Sequence, residues 1–337
     1  GAPSGAVGSL ISTFTGGIAD VDSGASKGLA ITGTDETNGT WYYTRNGGTT
    51  WTAVGTVSNT SALLLADNAS TRLYFAPRAN YSGTSTAALT VRAWDQSSGT
   101  AGSKVSTATN GGTTAFSSAT DTVDVTVTAV NDAPTIASLS GDSRAYSEGA
   151  GAVVIESGNA VVADVDSTNL DTGTLTVSIP GGGDAAEDVL SIRNQGTGAG
   201  QIGVSGGTVT YGGTTIGTVT GGSSGSNLVI TFNASATPTA VTALVRNITY
   251  QNTDTDAPTT GARTVRFVLT DGDGGTSPSY NTTVTVSAVN DAPVLADLAL
   301  SLTVAEDAGA PSGAVGSLIS TFTGGISDVD SGAVKGI

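Results

Sequence analysis

The chain has 337 residues, with 12 Lys and Arg against 28 Asp and Glu, a net charge of −16, and no Cys, His or Met. That charge repels nucleic-acid phosphates and anionic membranes and attracts cations. The missing residue types exclude disulfides, thiol or Ser–His nucleophiles and imidazole or thiolate zinc sites, which leaves oxygen ligands of the kind that suit calcium. No apolar run reaches the length of a membrane span.

The chain opens with GAPSGAVGSLISTFTGGIADVDSGASKGL, and Gly309–Ile337 repeats this stretch with only three changes: Ala19 against Ser327, Ser26 against Val334, and Leu29 against Ile337. One full period and the start of the next are therefore present. Inside the period the hexapeptide AVNDAP occurs twice, at Ala129–Pro134 and Ala288–Pro293, each time after an alternating run (TVDVTVT, then TTVTVS). Three segments are expected. Residues 1–134 form a sandwich A without its opening strand, whose equivalent is Ala299–Glu306. Residues 135–293 form a sandwich B, and residues 294–337 begin the next A. The expectation is a window on a longer A-B-A-B chain.

Period-two alternation runs through both units. Leu89, Val91 and Ala93 share one strand face, Val123, Val125 and Val127 another, and Val265, Phe267 and Leu269 a third. Thr and Val fill the strands while Gly, Asn, Asp and Ser interrupt them at short intervals, the pattern of an all-β sandwich. No window long enough for a helix carries apolar residues at a spacing of 3.6, so no helix is expected.

The acids recur in one order. Unit B has Glu148, Asp164-Val-Asp166, Asp271 at a strand end, then Asn290-Asp291. Unit A has Glu306, Asp328-Val-Asp330 with Asp20-Val-Asp22 as the earlier copy, Asp95 at a strand end, then Asn131-Asp132. Residues i and i+2 of an extended chain project to one side, so Asp-x-Asp holds two carboxylates close enough to repel unless a cation intervenes. Pro134 and Pro293 fix their own φ and bias the preceding Ala to an extended form, which makes Asn-Asp-Ala-Pro a stiff bridge.

This set, with VNDAP as its strongest mark, resembles the bacterial cadherin-like tandem repeats of giant secreted adhesins of the RTX type and of surface filament proteins. The resemblance covers nearly the whole chain. It implies Ig/cadherin-like β-sandwiches strung into an elongated rod, with Ca2+ at the junctions. Carried over by residue, it groups Asn131, Asp132, Glu148, Asp164 and Asp166 at the A–B junction, with Asp95 alongside. It groups Asn290, Asp291, Glu306, Asp328 and Asp330 at the B–A junction, with Asp271 alongside. Asp20 and Asp22 would form an incomplete third site. Ala133 and Ala292 replace the last Asn of the animal linker and the Asp-Arg-Glu motif is absent, which reduces the expectation to about one or two ions per junction.

Three motifs carry less. TRNGGTTW at Thr44–Trp51 fits an Asp-box hairpin but occurs once, where a propeller needs several. GAGQIG at Gly198–Gly203 has no helix after it. DGDGG at Asp271–Gly275 is one fragment of a nonapeptide array. The expected function is non-catalytic: a calcium-stiffened spacer in an extracellular, cell-surface bacterial adhesin or filament that contributes to biofilm or matrix assembly. Its expected partners are neighbouring repeats of the same chain and other copies in a filament. Two alternatives stand beside it. One is a carbohydrate-binding or partner-binding module around Trp41–Trp51 that would take a cell-surface glycan. The other is a filament subunit completed by a strand from a neighbouring molecule.

Overall fold

A computed structural model describes residues 1–296, 299–330 and 332–337. The chain divides into two compact units, Gly1–Val130 and Asn131–Ile337. The division falls inside the first AVNDAP, and the segment from Val294 onward groups with the second unit.

Unit 1 has two sheets. One runs in the order β1 (Ser9–Leu10), β6 (Arg72–Pro77), β3 (Gly39–Thr44) and β4 (Thr52–Ala53). The other runs β8 (Lys104–Val105), β5 (Ala62–Ala66), β2 (Gly28–Thr34), β7 (Gly83–Trp94) and β9 (Asp121–Val127). β5 reads ALLLA because both of its faces are covered. Leu63 and Leu65 join Leu29, Ile31 and Trp41 in one cluster, while Ala62, Leu64 and Ala66 join Trp94 and Phe116 in another. The buried indoles find acceptors: Trp41 Nε1 donates to Ala88 O at 3.1 Å and Trp94 Nε1 to Ser98 O at 2.7 Å. β9 ends its sheet. Its outward residues are exposed, and Val123, Val125 and Val127 are half-buried.

Unit 2 is built on an eight-stranded sheet. Its order is β11 (Ser143–Ser147), β22 (Tyr280–Ser287), β21 (Gly261–Leu269), β14 (Thr174–Gly181), β19 (Leu228–Phe232), β18 (Thr214–Thr220), β17 (Thr208–Tyr211) and β16 (Ile202–Ser205). A second sheet holds β12 (Val153–Val154), β20 (Ile248–Asn252) and β15 (Asp188–Ile192). Two short ladders complete the unit, β10 (Thr135–Ala137) with β13 (Val161–Ala163) and β23 (Val294–Leu295) with β24 (Ile326–Ser327). The β11–β22 pair is parallel and the pairs on β21, β14 and β20 are antiparallel. Val265, Phe267 and Leu269 are fully buried in the core. Arg263 and Asp188 form a buried ion pair at 3.0 Å, and Tyr250 Oη donates to the same carboxylate at 2.5 Å. Burial, first, and the Asp188 charge push the Tyr250 hydroxyl well above its ordinary pKa, so the phenol stays protonated.

One helix corrects the expectation of none: α1, Pro238–Val245. Thr237 caps it by accepting the Ala240 N–H, and Pro238 occupies the first turn, where a missing N–H does no harm. Its eight residues bury Ala240, Val241, Leu244 and Val245, too short a stripe for a periodicity window to register. Both units are otherwise sheet, loop and short 3₁₀ turn. Among the described residues no helix is long and apolar enough to cross a membrane.

Candidate metal centre

Strand direction decides which acids meet. β22 runs into the second AVNDAP, and β11 lies parallel beside it, so the two strands end at the same pole. Glu148 follows β11 directly. Its N–H donates to Ser287 O at 3.0 Å, and its Oε2 accepts the Val289 N–H at 2.8 Å. Glu148 therefore belongs with Asn290 and Asp291, not with Asn131 as expected.

Asp271 follows β21, which is antiparallel to β22, and so lies at the opposite pole. There its Oδ2 accepts Asn131 Nδ2 at 2.8 Å. Its partner linker is the first AVNDAP, not the second as expected. Burial pushes the Asp271 carboxyl up, but hydrogen bonds from Asn131 and from the N–H groups of Asp273 and Gly275 outweigh it and hold the pKa below its ordinary value. A Cβ at Gly275 would meet this carboxylate, the Asn131 amide and the Ala133 backbone, so a side chain there would displace the Asp271–Asn131 pair.

The Asp-x-Asp motif also differs from its expected form. It lies just past β13 as a turn, with Asp164 Oδ1 accepting the N–H groups of Asp166 at 3.2 Å and Ser167 at 3.0 Å. Asp328 accepts Asp330 N–H and Asp20 accepts Asp22 N–H, both at 2.9 Å, so all three copies make one Asx turn. The turn aims the second Asp back at a linker. Asp166 Oδ2 accepts the Asp132 N–H at 3.1 Å, and Asp330 Oδ2 accepts the Asp291 N–H at 2.7 Å. Two arrangements result, alike in the bond from the linker Asp N–H to the second Asp of the turn. The first gathers Asn131, Asp132, Asp164, Asp166 and Asp271. The second gathers Glu148, Asn290, Asp291, Asp328 and Asp330.

The remaining candidates lie elsewhere. Asp95 accepts the Ser97 N–H and hydroxyl, and it lines a cleft of about 330 Å³ in unit 1 together with Asp20. It thus lies by Asp20 of its own unit. Asp22 is exposed, and Glu306 lies on an exposed segment.

Three carboxylate oxygens are sealed from water without a hydrogen-bond donor: Glu148 Oε1, Asp164 Oδ2 and Asp291 Oδ2. All three belong to the acid set picked out by its recurrence. Burial, first, raises the Asp164 pKa above its ordinary value despite the two N–H donors on its other oxygen. An unpartnered buried carboxylate is unfavourable unless a proton or a cation meets it. Oxygen-only donors of this type fit a hard divalent ion. Among the described residues no three acidic side chains stand close enough to make a ready-formed cage, so backbone carbonyls or solvent would complete the coordination.

Other aromatic and loop motifs are structural. Asn46 Oδ1 accepts the Thr50 N–H and the Thr44 hydroxyl, closing the Asp-box turn on itself. Trp41 and Trp94 are buried in the core. Trp51 is half-buried, donates to Gly5 O and meets Tyr74 edge-on at 6.1 Å. A stacking platform around Trp41–Trp51 would thus rest on Trp51 without the other two indoles.

No protein-family model matches the chain, and no curated protein matches it. Among solved structures the chain is similar to the collagen adhesin (CNA) of S. aureus at 12% identity and a TM-score of 0.17, over 77% of this chain and 81% of that one.

Proposed function

We propose that this chain is a structural, non-catalytic segment of a long extracellular bacterial adhesin or filament, and that calcium bound at the two AVNDAP sets stiffens it. The observation that supports this reading is the trio of buried, donor-less carboxylate oxygens on Glu148, Asp164 and Asp291. Asn131, Asp132, Asp164, Asp166 and Asp271 would hold one ion. Glu148, Asn290, Asp291, Asp328 and Asp330 would hold the other. A bound cation would supply the positive partner that these carboxylates lack and would hold the Asn-Asp linkers against the Asp-x-Asp turns, to which Asp132 and Asp291 already donate. The work is reach and stiffness in a cell-surface or matrix assembly.

The test is a thermal melt in millimolar calcium and in chelator, with magnesium as control. An ion that binds only the native form stabilises it by about 2.7 kcal/mol at a hundred times its dissociation constant. Asp164→Asn should raise the midpoint in chelator, because it removes a buried charge, and should shrink the gain from calcium. Equal midpoints in calcium and chelator would sink the reading. Small-angle scattering supplies a second readout, with longer dimensions expected in calcium.

A further inference from the structure

Cations are scarce in this chain, 12 Lys and Arg against 28 Asp and Glu, yet two of them line one cleft of unit 2. The cleft holds about 410 Å³, within the size range of small-ligand sites. Arg193 reaches it from just past β15, Arg246 from the C-terminus of α1 and Tyr211 from the end of β17. Each guanidinium is held through its Nε. Arg193 Nε donates to Asn247 Oδ1 at 2.8 Å, and Asn247, only 5% exposed, is fixed in turn by donating to Ala243 O at 2.8 Å. Arg246 Nε donates to Ala160 O at 2.8 Å. Among the described residues neither arginine forms an ion pair, and no Asp or Glu lines the cleft. Glu156 is the acid tied to this loop, and it is occupied by the N–H groups of Gly158, Asn159 and Ala160.

A guanidinium anchored at Nε keeps its Nη hydrogens for a planar anion, and the fork of an arginine matches a carboxylate. The rest of the lining suits a hydroxylated ligand. Thr239 is exposed. Gln195 spends its Oε1 on the Ile202 N–H at 3.1 Å, which leaves its amide nitrogen to donate. Tyr211, half-buried, adds aromatic surface with a polar tip. We propose that this cleft binds a uronic acid unit of an acidic polysaccharide. Arg193 and Arg246 take the sugar carboxylate, and Thr239 and Gln195 take ring hydroxyls. Asn247 is a positioning residue that aims Arg193. The net charge of −16 repels anions at a distance, so capture depends on the cleft itself. The site lies in unit 2, away from the Trp41–Trp51 region of unit 1. It adds a ligand to the spacer reading and does not depend on calcium.

The test is titration calorimetry of the whole chain with a galacturonic acid trimer. Chelator is present throughout, so that no calcium bridges the sugar to the acid sets. Saturable binding to a single site is expected. Arg193→Gln changes an exposed side chain, so folding is kept, and binding should weaken about tenfold or more, as expected for a lost hydrogen bond between charged groups. Arg246→Gln should weaken it similarly, with a thermal melt checking that the chain stays folded. Thr239→Val should cost about twofold to fivefold. Arg266→Gln, on β21 and outside the cleft, should leave binding unchanged. The methyl ester of the trimer keeps every hydroxyl and loses the charge, so it should not bind. No binding at millimolar trimer, equal binding of the methyl ester, competition by inorganic sulfate as strong as by the trimer, or an equal loss in Arg266→Gln would each overturn the inference.

Discussion

Gly1–Leu29 and Gly309–Ile337 are almost the same sequence in two surroundings, and they separate what a sequence dictates locally from what it needs a fold to provide. Both copies form the same one-turn 3₁₀ helix, Ile11–Thr13 and Ile319–Thr321. The residue before it sits at φ −62°, ψ 148° in one copy and φ −65°, ψ 143° in the other. The turn is thus local. Burial is not. Ile11 is 0% exposed and its N–H donates to Thr71 O, whereas Ile319 is 55% exposed. Thr15 donates to Asp67 at 2.5 Å as well as to Ser12 O, whereas Thr323 donates to the matching Ser320 O. The two AVNDAP copies make the same point. Asn131 donates across the unit to Asp271, while Asn290 donates to the adjacent Asp291 O.

Paired substitutions test this contrast, beginning with the largest effect. Ile11→Ala should destabilise unit 1 by about 2–5 kcal/mol, because a core methyl cluster is lost and a cavity left. Ile319→Ala should change stability by less than about 0.5 kcal/mol. All three Trp residues lie in unit 1, so indole fluorescence in urea reads the Ile11 change, while far-UV unfolding curves read the Ile319 change in unit 2. Equal effects at the two isoleucines would break the comparison. Asn131→Ala should destabilise unit 2 by about 1.5–3 kcal/mol, the range for a hydrogen bond to a buried charge, while Asn290→Ala should be near neutral. Far-UV unfolding curves check both. Thr15→Val keeps the shape and removes one donor to Asp67. A loss of about 0.5–1.5 kcal/mol is expected, against none for Thr323→Val.

Acid gives the finest discrimination, because Asp271 and Asp164 are shifted in opposite directions. Asp271 is held below its unfolded pKa of about 3.9, so its stabilisation is fully present above that value and is lost as the pH falls through the lower folded pKa. Asp164 is held above its unfolded value, so in chelator it favours the fold increasingly as the pH falls through its folded pKa toward the unfolded one. Urea midpoints of Asp271→Asn should lose the first dependence and those of Asp164→Asn the second. Unchanged pH profiles for both variants would contradict the opposed shifts.

The strands were legible because period-two alternation survives in the burial of β9, β21 and β22. α1 was not legible, since eight residues hold only two turns of stripe. Its cue was chemical rather than periodic, a capping Thr237 ahead of Pro238. The acid set was legible as a set, because recurrence in one order marks it. Its grouping was not, because order along the chain does not say at which pole a strand ends. Glu148 was misplaced because β11 runs parallel to β22, and Asp271 because β21 runs antiparallel to it. Only the pairing directions settle that. The same rule places Asp95, at the end of β7, with Asp20. The Asp-x-Asp turn was misread as extended because a strand and the Asx turn just beyond it share the same residues at their border.

The parallel β11–β22 pair also sets how unit 2 meets tension. β11 follows the first linker and β22 runs directly into the second. A pull applied through the two linkers drags these strands past one another along their length. All five register pairs are then loaded together in shear. A hairpin pulled from its open end would release its bonds one after another, by peeling. Unit 2 is therefore wired to yield abruptly and late, and the strand that takes the strain is the one whose last residue delivers Glu148 to the second linker.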